Sequence, residues 1–134
     1  MVVEPVGVWS SAGEMQLSLD VSNSGMGSVL PERPGQESVA VRVVTIDRLA
    51  EDLKLPRVDY IKMDIEGAER EALAGASDVL RRNRPRLMLD MYHRPDDTEV
   101  LPRVIRQANP GYLSKCGPCA STGAGITPQV VFFY

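Results

Sequence analysis

The sequence is poor in the residues that nucleic-acid and membrane contacts require. Only seven of its 134 residues are aromatic, and its 18 acidic residues outnumber its 15 basic ones. Nucleic-acid binding ordinarily needs a basic excess and aromatic side chains that stack on bases. No apolar run approaches the roughly 20 residues of a transmembrane helix. We therefore expect neither a nucleic-acid partner nor a membrane span.

The N-terminus also lacks a targeting signal. Residues 1–5 have no basic stretch followed by an apolar one, as a signal peptide would. The hydrophobic share of 43% and the charged share of 25% are those of an ordinary folded protein. A chain of this length suits one domain with a real core. We expect a single domain over residues 1–134, located in the cytoplasm.

The two cysteines form a C-x-x-C motif, Cys116-Gly117-Pro118-Cys119. In thiol–disulfide oxidoreductases this motif opens a helix that activates the first cysteine. Here "ASTGAGITP" follows, with two glycines, a proline and no apolar periodicity. Two cysteines and one histidine also fall short of a four-ligand zinc site. We expect a reduced pair in a loop between the last two strands, with thiol–disulfide chemistry as an alternative.

Hydrophobic periodicity predicts an α/β fold. Residues 2–19 resemble a hairpin with a turn at 10–13, and residues 22–38 form a Gly/Ser/Pro-rich loop. Further strands are predicted at 38–46, 58–63, 86–91 and 129–134. They alternate with helices at 48–54, capped by Asp47, at about 68–83, and at 100–108, which Pro102 kinks or confines to its later turns. This order predicts a mainly parallel central sheet with a C-terminal antiparallel hairpin.

Two acidic residues come at the ends of successive predicted strands. Asp64 follows the strand at 58–63, and Asp90 closes the strand at 86–91. Ligands of such sheets bind outside the carboxyl ends of the strands, so both side chains are expected in one crevice. The pair could hold Mg²⁺ through its oxygens, or could hydrogen-bond to neighbouring site residues. Glu66 and Glu69 could simply favour a helix N-terminus.

The stretch "VDYIKMDIEGAEREALAGA" closely resembles the signature of FkbM-type methyltransferases. The resemblance continues upstream through "GVWSSAGEMQLSL" and "VRVVTIDRLAEDL", and downstream through "RPRLMLDMYHRPDDTEVLPRVI", "PGY" and "QVVFFY". It implies S-adenosylmethionine-dependent methyl transfer by a partial Rossmann-like class I methyltransferase sheet. The implied acceptor is a hydroxyl of a sugar or secondary metabolite.

The resemblance also implies roles for residues of the "KMDIEGAE" turn. Asp64, Glu66 and Gly67 would border the cofactor, and Asp64 or His93 would take the proton that a hydroxyl acceptor loses. His93, the only histidine, could instead cap a turn. A divalent cation between Asp64 and Asp90 is a further hypothesis.

The sequence departs from the family pattern in its first part. Class I methyltransferases cradle the cofactor with a glycine-rich loop after the first strand and an acid after the second. Neither strand is evident here: only Pro5 and Val6 separate Glu4 from "GVWSSAG", and the "GMG" at 25–27 follows no parallel strand. We therefore expect the C-terminal part of such a domain, without its cofactor-loop strands. The alternative function is that of an inactive remnant or interaction module.

Overall fold

The structure is a computed structural model that describes residues 1–19, 37–122 and 125–134. The predicted loop at 22–38 falls almost entirely outside these ranges, as does the "GMG" segment. The described residues form nine strands and four helices. The strands are β1 Gly7–Val8, β2 Gly13–Leu19, β3 Glu37–Val44, β4 Tyr60–Met63, β5 Arg86–Asp90, β6 Ser114–Cys116, β7 Cys119–Thr122, β8 Gly125–Pro128 and β9 Val130–Phe133. The helices are α1 Ile46–Asp52, α2 Glu69–Ala74, α3 Ser77–Arg82 and α4 Asp97–Ala108.

The strands form three mixed or antiparallel sheets with the orders β1-β3-β2, β4-β5-β9-β6 and β7-β8. The α/β class is confirmed. The mainly parallel centre is only partly so: β4 and β5 are parallel, whereas β9 runs antiparallel to both β5 and β6. The parallel pair of β4 and β5 positions the candidate site, because the carboxyl ends of these two strands lie side by side.

The predicted N-terminal hairpin is wrong. β1 and β2 do not pair with each other, because each pairs with a different edge of β3. Val43 lies opposite Gly7 in the parallel ladder and opposite Gly13 in the antiparallel one. The many β-branched residues of β3 favour its central position in this sheet. Residues 9–12 connect β1, on one side of β3, to β2 on the other.

The predicted helix at 68–83 is two helices, because Gly75 contacts the N-terminal segment. A Cβ at Gly75 would lie 2.1 Å from the backbone oxygen of Trp9, so only glycine fits. The Gly75 oxygen accepts a hydrogen bond from the N–H of Asp47 at 3.0 Å. This tertiary contact interrupts the helix between α2 and α3.

Asp47 does not cap α1 as predicted. The cap is Thr45, whose side chain accepts from the N–H of Arg48 at 3.0 Å. Asp47 instead accepts from the N–H groups of Asp78 and Val79, at 2.9 and 2.8 Å, and so satisfies the otherwise open start of α3. Helix α4 also differs from the prediction of a helix at 100–108 that Pro102 kinks or confines to its later turns. It begins at Asp97 and continues through Pro102 to Ala108.

One hydrophobic core joins the four-stranded sheet to helices α2, α3 and α4. Its buried members include Met63, Leu73, Leu80, Leu87, Leu89, Leu101, Ile105, Tyr112 and Phe133. The core fixes the position of β4 and β5 and hence of the residues at their ends. Among the described residues, even the 12-residue α4 is too short and too polar to cross a membrane.

Tyr112→Phe should lower the free energy of unfolding by about 1 kcal/mol. The phenol is buried, and its O–H donates to the backbone oxygen of Pro85 at 2.8 Å. Burial also raises the pKa of Tyr112 to about 12. The neutral phenol therefore stabilises the wild-type fold fully below the unfolded pKa of about 10, and this contribution is lost as the pH rises towards 12.

Urea unfolding at pH 7 and between pH 9 and 12 measures both effects. Tyr60→Phe, at a phenol that is 53% exposed, is the matched control and should change little. Equal stability losses for the two variants, or an unchanged alkaline slope in Tyr112→Phe, would contradict this account of Tyr112.

Candidate functional site

The candidate site lies at the carboxyl ends of β4 and β5. Asp64 directly follows β4, and Asp90 is the last residue of β5. Glu66 lies in the turn between β4 and α2, and Glu69 is the first residue of α2. His93 lies in the loop between β5 and α4. Residues from two strand ends and two connections therefore meet at one edge of the sheet.

Glu69 links these segments through a buried carboxylate. The residue is fully buried, and its Oε1 accepts a hydrogen bond from the backbone N–H of Ile65 at 2.9 Å. The same oxygen lies 2.9 Å from Nδ1 of His93. A carboxylate can only accept a hydrogen bond, so Nδ1 carries the proton of the neutral imidazole. This arrangement leaves the lone pair on Nε2 of His93.

The lone pair of His93 faces two carboxylates. Nε2 lies 3.5 Å from Oδ1 of Asp64 and 3.9 Å from Oε2 of Glu66. Only 6% of the His93 side chain is exposed, and Nε2 has no hydrogen-bond partner among the described residues. The two carboxylates are more open, with 42% of Asp64 and 33% of Glu66 exposed. The imidazole is thus the inner wall of the site and the acids form its rim.

The turn that carries Glu66 has an unusual backbone. Glu66 has φ 55° and Gly67 has φ 93°, so two consecutive residues are left-handed. This conformation costs little at glycine but is unfavourable for glutamate by about 1 kcal/mol or more. This turn separates the end of β4 from the start of α2 and places Glu66 near Asp64.

Asp90 lies deeper than Asp64 and interacts with it. Asp90 is buried, and burial raises its pKa above the ordinary value, helped by the negative charge of Asp64 and a hydrogen bond with it. The positive charge of Lys62 opposes the shift. The structure thus brings together the two acids that the sequence placed at one crevice. Lys62 also lies 3.9 Å from Asp64 on the exposed side.

The loop that bears His93 is anchored to α2 by an ion-pair cluster. Arg70 binds Oδ1 of Asp96 at 2.8 Å and Oδ1 of Asp97 at 2.7 Å. Asp97 is almost fully buried, and its other oxygen accepts from the N–H of Arg94 at 2.7 Å. The hydrogen bond with Asp96 raises the pKa of Arg70 above its ordinary value, despite partial burial. The cluster holds the C-terminal end of the loop that carries His93.

The C-x-x-C motif lies away from this site and opens no helix. Cys116 ends β6 and Cys119 begins β7, so the second cysteine enters a strand. The two cysteines face each other through their sulfurs, and the reduced state of the pair stays a prediction. Their Cα atoms are 7.2 Å apart, above the usual disulfide range of roughly 4.4–6.8 Å. The helix that oxidoreductase chemistry requires is missing from residues 119–122 and 125–134.

Comparison with known proteins identifies the family of this chain and a solved structure with the same fold. The family model described as the methyltransferase FkbM domain matches residues 2–117. The chain belongs to the FkbM methyltransferase family. The crystal structure of an FkbM methyltransferase from Methylobacillus flagellatus KT has the same fold, with a TM-score of 0.64 and 22% sequence identity. No curated protein matches the chain significantly.

The present chain spans only part of the length of the Methylobacillus methyltransferase. The superposition covers 99% of this chain and 28% of the Methylobacillus chain. The matched part includes β4, β5 and the loops that follow them, and hence the whole Asp64–His93 cluster.

Glu69 and Arg70 were not predicted as site residues from the sequence. Glu69 fits the pattern of an acid in the first turn of a helix, and Arg70 that of a solvent-exposed helix residue. One signal was available: Glu69 is the first residue of α2 and four residues beyond Ile65, a spacing that lets its carboxylate fold back onto the preceding turn. The contact with His93 depends on the tertiary fold and leaves no local pattern.

Arg70→Met should lower the free energy of unfolding by about 3 kcal/mol, because it leaves the buried carboxylate of Asp97 without its cation. Chemical denaturation measures the loss. Arg81→Met is the matched control, since Arg81 is exposed and its ion pair with Asp78 lies on the surface; its effect should stay below about 0.5 kcal/mol. Similar losses in both variants would show that Arg70 is not an anchor of the loop.

Glu69→Gln should change the tautomer of His93, because an amide also offers an N–H donor that competes for Nδ1. The chain contains one histidine, so long-range ¹H–¹⁵N NMR of the imidazole reports on His93 alone. We expect predominantly Nδ1–H in the wild type and a mixture in the variant. Glu71→Gln, on the same helix, should leave the ring signals unchanged; an unaltered tautomer in Glu69→Gln would rule out the proposed anchoring.

Proposed function

We propose that this chain forms one wall of an S-adenosylmethionine-dependent methyltransferase site that methylates a hydroxyl of a sugar or secondary metabolite. The observation that carries the proposal is the convergence of Asp64, Glu66 and a buried, oriented His93 at the carboxyl ends of β4 and β5. Membership of the FkbM family supports methyl transfer as the reaction class. The cofactor and the acceptor are inferred from that class and from the chemistry of the cluster.

The cofactor, when bound, supplies an activated methyl group for in-line attack by a nucleophile. A hydroxyl nucleophile must lose its proton during or after the attack, and a positioned base assists this loss. Nε2 of His93 is suited to the task because Glu69 holds the proton on Nδ1. Asp64 can accept the proton directly or stabilise the imidazolium that forms, since its Oδ1 lies 3.5 Å from Nε2.

The same rim suits the cofactor. Its sulfonium is a cation, and the carboxylates of Asp64 and Glu66 create a negative potential at the edge of the sheet. The buried, left-handed Gly67 lets the backbone of the turn pass close to a bound molecule. We assign Asp64, Glu66 and Gly67 to the cofactor side and His93 to the acceptor side, with Asp64 between them. A cytoplasmic location goes with this function and remains a prediction.

An inactive remnant or interaction module is the second candidate function. The observation in its favour is that this chain superposes on only 28% of the neighbouring methyltransferase chain. On this alternative, the cluster would be inherited without being used, and its residues would be replaceable.

Calorimetric titration with S-adenosylhomocysteine separates the two. The methyltransferase proposal predicts saturable binding, whereas no heat at high protein concentration would favour the remnant. With a panel of sugars and polyols as acceptors, S-adenosylhomocysteine release measures turnover. Asp64→Asn and His93→Gln should each lower turnover at least 100-fold, with an unchanged circular-dichroism spectrum.

Asp59→Asn is the matched control for Asp64→Asn. Asp59 immediately precedes β4 and pairs with Arg57 on the surface, so the two acids flank the same strand at opposite ends. This control should retain full turnover. Equal turnover in Asp59→Asn and Asp64→Asn would remove Asp64 from the reaction.

A further inference from the structure

We propose that Asp64, Glu66 and His93 bind a divalent transition-metal ion of the Mn²⁺ or Zn²⁺ type, with Glu69 orienting the imidazole. This site differs from the oxygen-only pair of Asp64 and Asp90, since it includes a nitrogen ligand. Ion binding itself is independent of methyl transfer. Only the role of the ion in catalysis rests on the proposed function.

The ligand atoms are close enough to share an ion. One atom each from Asp64, Glu66 and His93 lies within 4.8 Å of the other two. Ligands about 2.1 Å from a tetrahedral or octahedral ion lie roughly 3.0–3.5 Å apart. The 3.5 Å from Nε2 to Asp64 already meets this separation, and the 3.9 Å to Glu66 needs a small rotation of a partly exposed side chain.

The buried imidazole is the observation that points to a ligand, because exposed acids often cluster without one. The His93 side chain is 94% buried, and Nε2 has no hydrogen-bond partner among the described residues. A buried polar atom without a partner costs about 1–3 kcal/mol. Nε2 of His93 is nevertheless buried in this way, and it points towards the carboxylates of Asp64 and Glu66. Oε2 of Glu69 is likewise buried and without a hydrogen-bond partner within the described ranges.

Glu69 prepares His93 to be a metal ligand. Metal-binding histidines usually donate their second N–H to a carboxylate, which fixes the tautomer and strengthens the ligand. Glu69 occupies this position at 2.9 Å from Nδ1. The backbone N–H of Ile65 holds the same carboxylate oxygen, so the orienting group is itself fixed.

The donor set selects the class of ion. Two carboxylates alone would suit Mg²⁺, whereas an imidazole nitrogen favours first-row transition metals. Lys62 provides a competing positive charge 3.9 Å from Asp64, but its side chain lies on the exposed side, where water screens it. An ion bound here would occupy the Nε2 lone pair, so His93 would then be a ligand and not the base; the ion would ease proton loss instead, by lowering the pKa of a coordinated acceptor hydroxyl.

The single histidine makes the test specific. The tag-free chain is treated with EDTA, dialysed, and titrated with ZnCl₂, MnCl₂ or MgCl₂ while the two ring C–H signals of His93 are followed by ¹H NMR. We expect Zn²⁺ to shift both signals, substoichiometric Mn²⁺ to broaden them, and Mg²⁺ to bind at least tenfold more weakly. Unchanged ring signals at saturating Zn²⁺ and Mn²⁺ would overturn the proposal.

Variants at the rim test the ligand set without disturbing the core. Asp64→Asn and Glu66→Gln should each weaken Zn²⁺ binding at least tenfold by calorimetry, and Glu69→Gln by about 10–100-fold. Glu71→Gln, the matched control on α2, should bind within twofold of the wild type. Wild-type affinity in both rim variants would show that the ion binds elsewhere and would refute the site.

Titration of S-adenosylhomocysteine into the metal-free chain keeps this proposal distinct from the proposed function. Cofactor binding with no metal response refutes the metal site alone. A metal response without cofactor binding supports the site and counts against the methyltransferase function of this chain.

Discussion

The contact between the Glu69 carboxylate and the His93 imidazole is the interaction on which the candidate site depends. Burying a carboxylate is costly unless hydrogen bonds compensate for the lost water. Glu69 receives two at one oxygen, from the N–H of Ile65 and from Nδ1 of His93. These bonds connect the end of β4, the start of α2 and the loop after β5. The positions of the exposed acids follow from that connection.

The site separates a rigid inner part from an adaptable rim. Arg70 and buried Asp97 hold the loop around His93 at one end, and the hydrophobic core holds β4 and β5 from below. Asp64 and Glu66 remain partly exposed at the edge. A buried imidazole beside partly exposed carboxylates suits chemistry in which a small cationic or hydroxylated molecule enters from solvent. The two partly exposed carboxylates give this edge the negative charge that the proposed sulfonium and metal sites require.

The sequence predicted the parts of this structure that depend on strand order. Asp64 and Asp90 could be placed together because parallel strands end at the same edge of a sheet, a rule that needs no knowledge of side-chain contacts. Contacts between distant segments could not be predicted. The approach of Trp9 to Gly75 divides one predicted helix into two, and Asp47 caps α3 although it lies 31 residues before Asp78. Neither contact can be predicted from hydrophobic periodicity or helix-capping patterns, because each joins residues that are far apart in the sequence.

We propose that the edge formed by β4 and β5 is the binding site of a methyltransferase. The most direct measurement is a ¹H–¹⁵N NMR titration of the chain with S-adenosylhomocysteine. This account predicts shifts concentrated at the amides of residues 64–67 and at the ring of His93, with none at residues 116–119. Shifts confined to other surfaces, or a spectrum that does not change at saturating ligand, would contradict it.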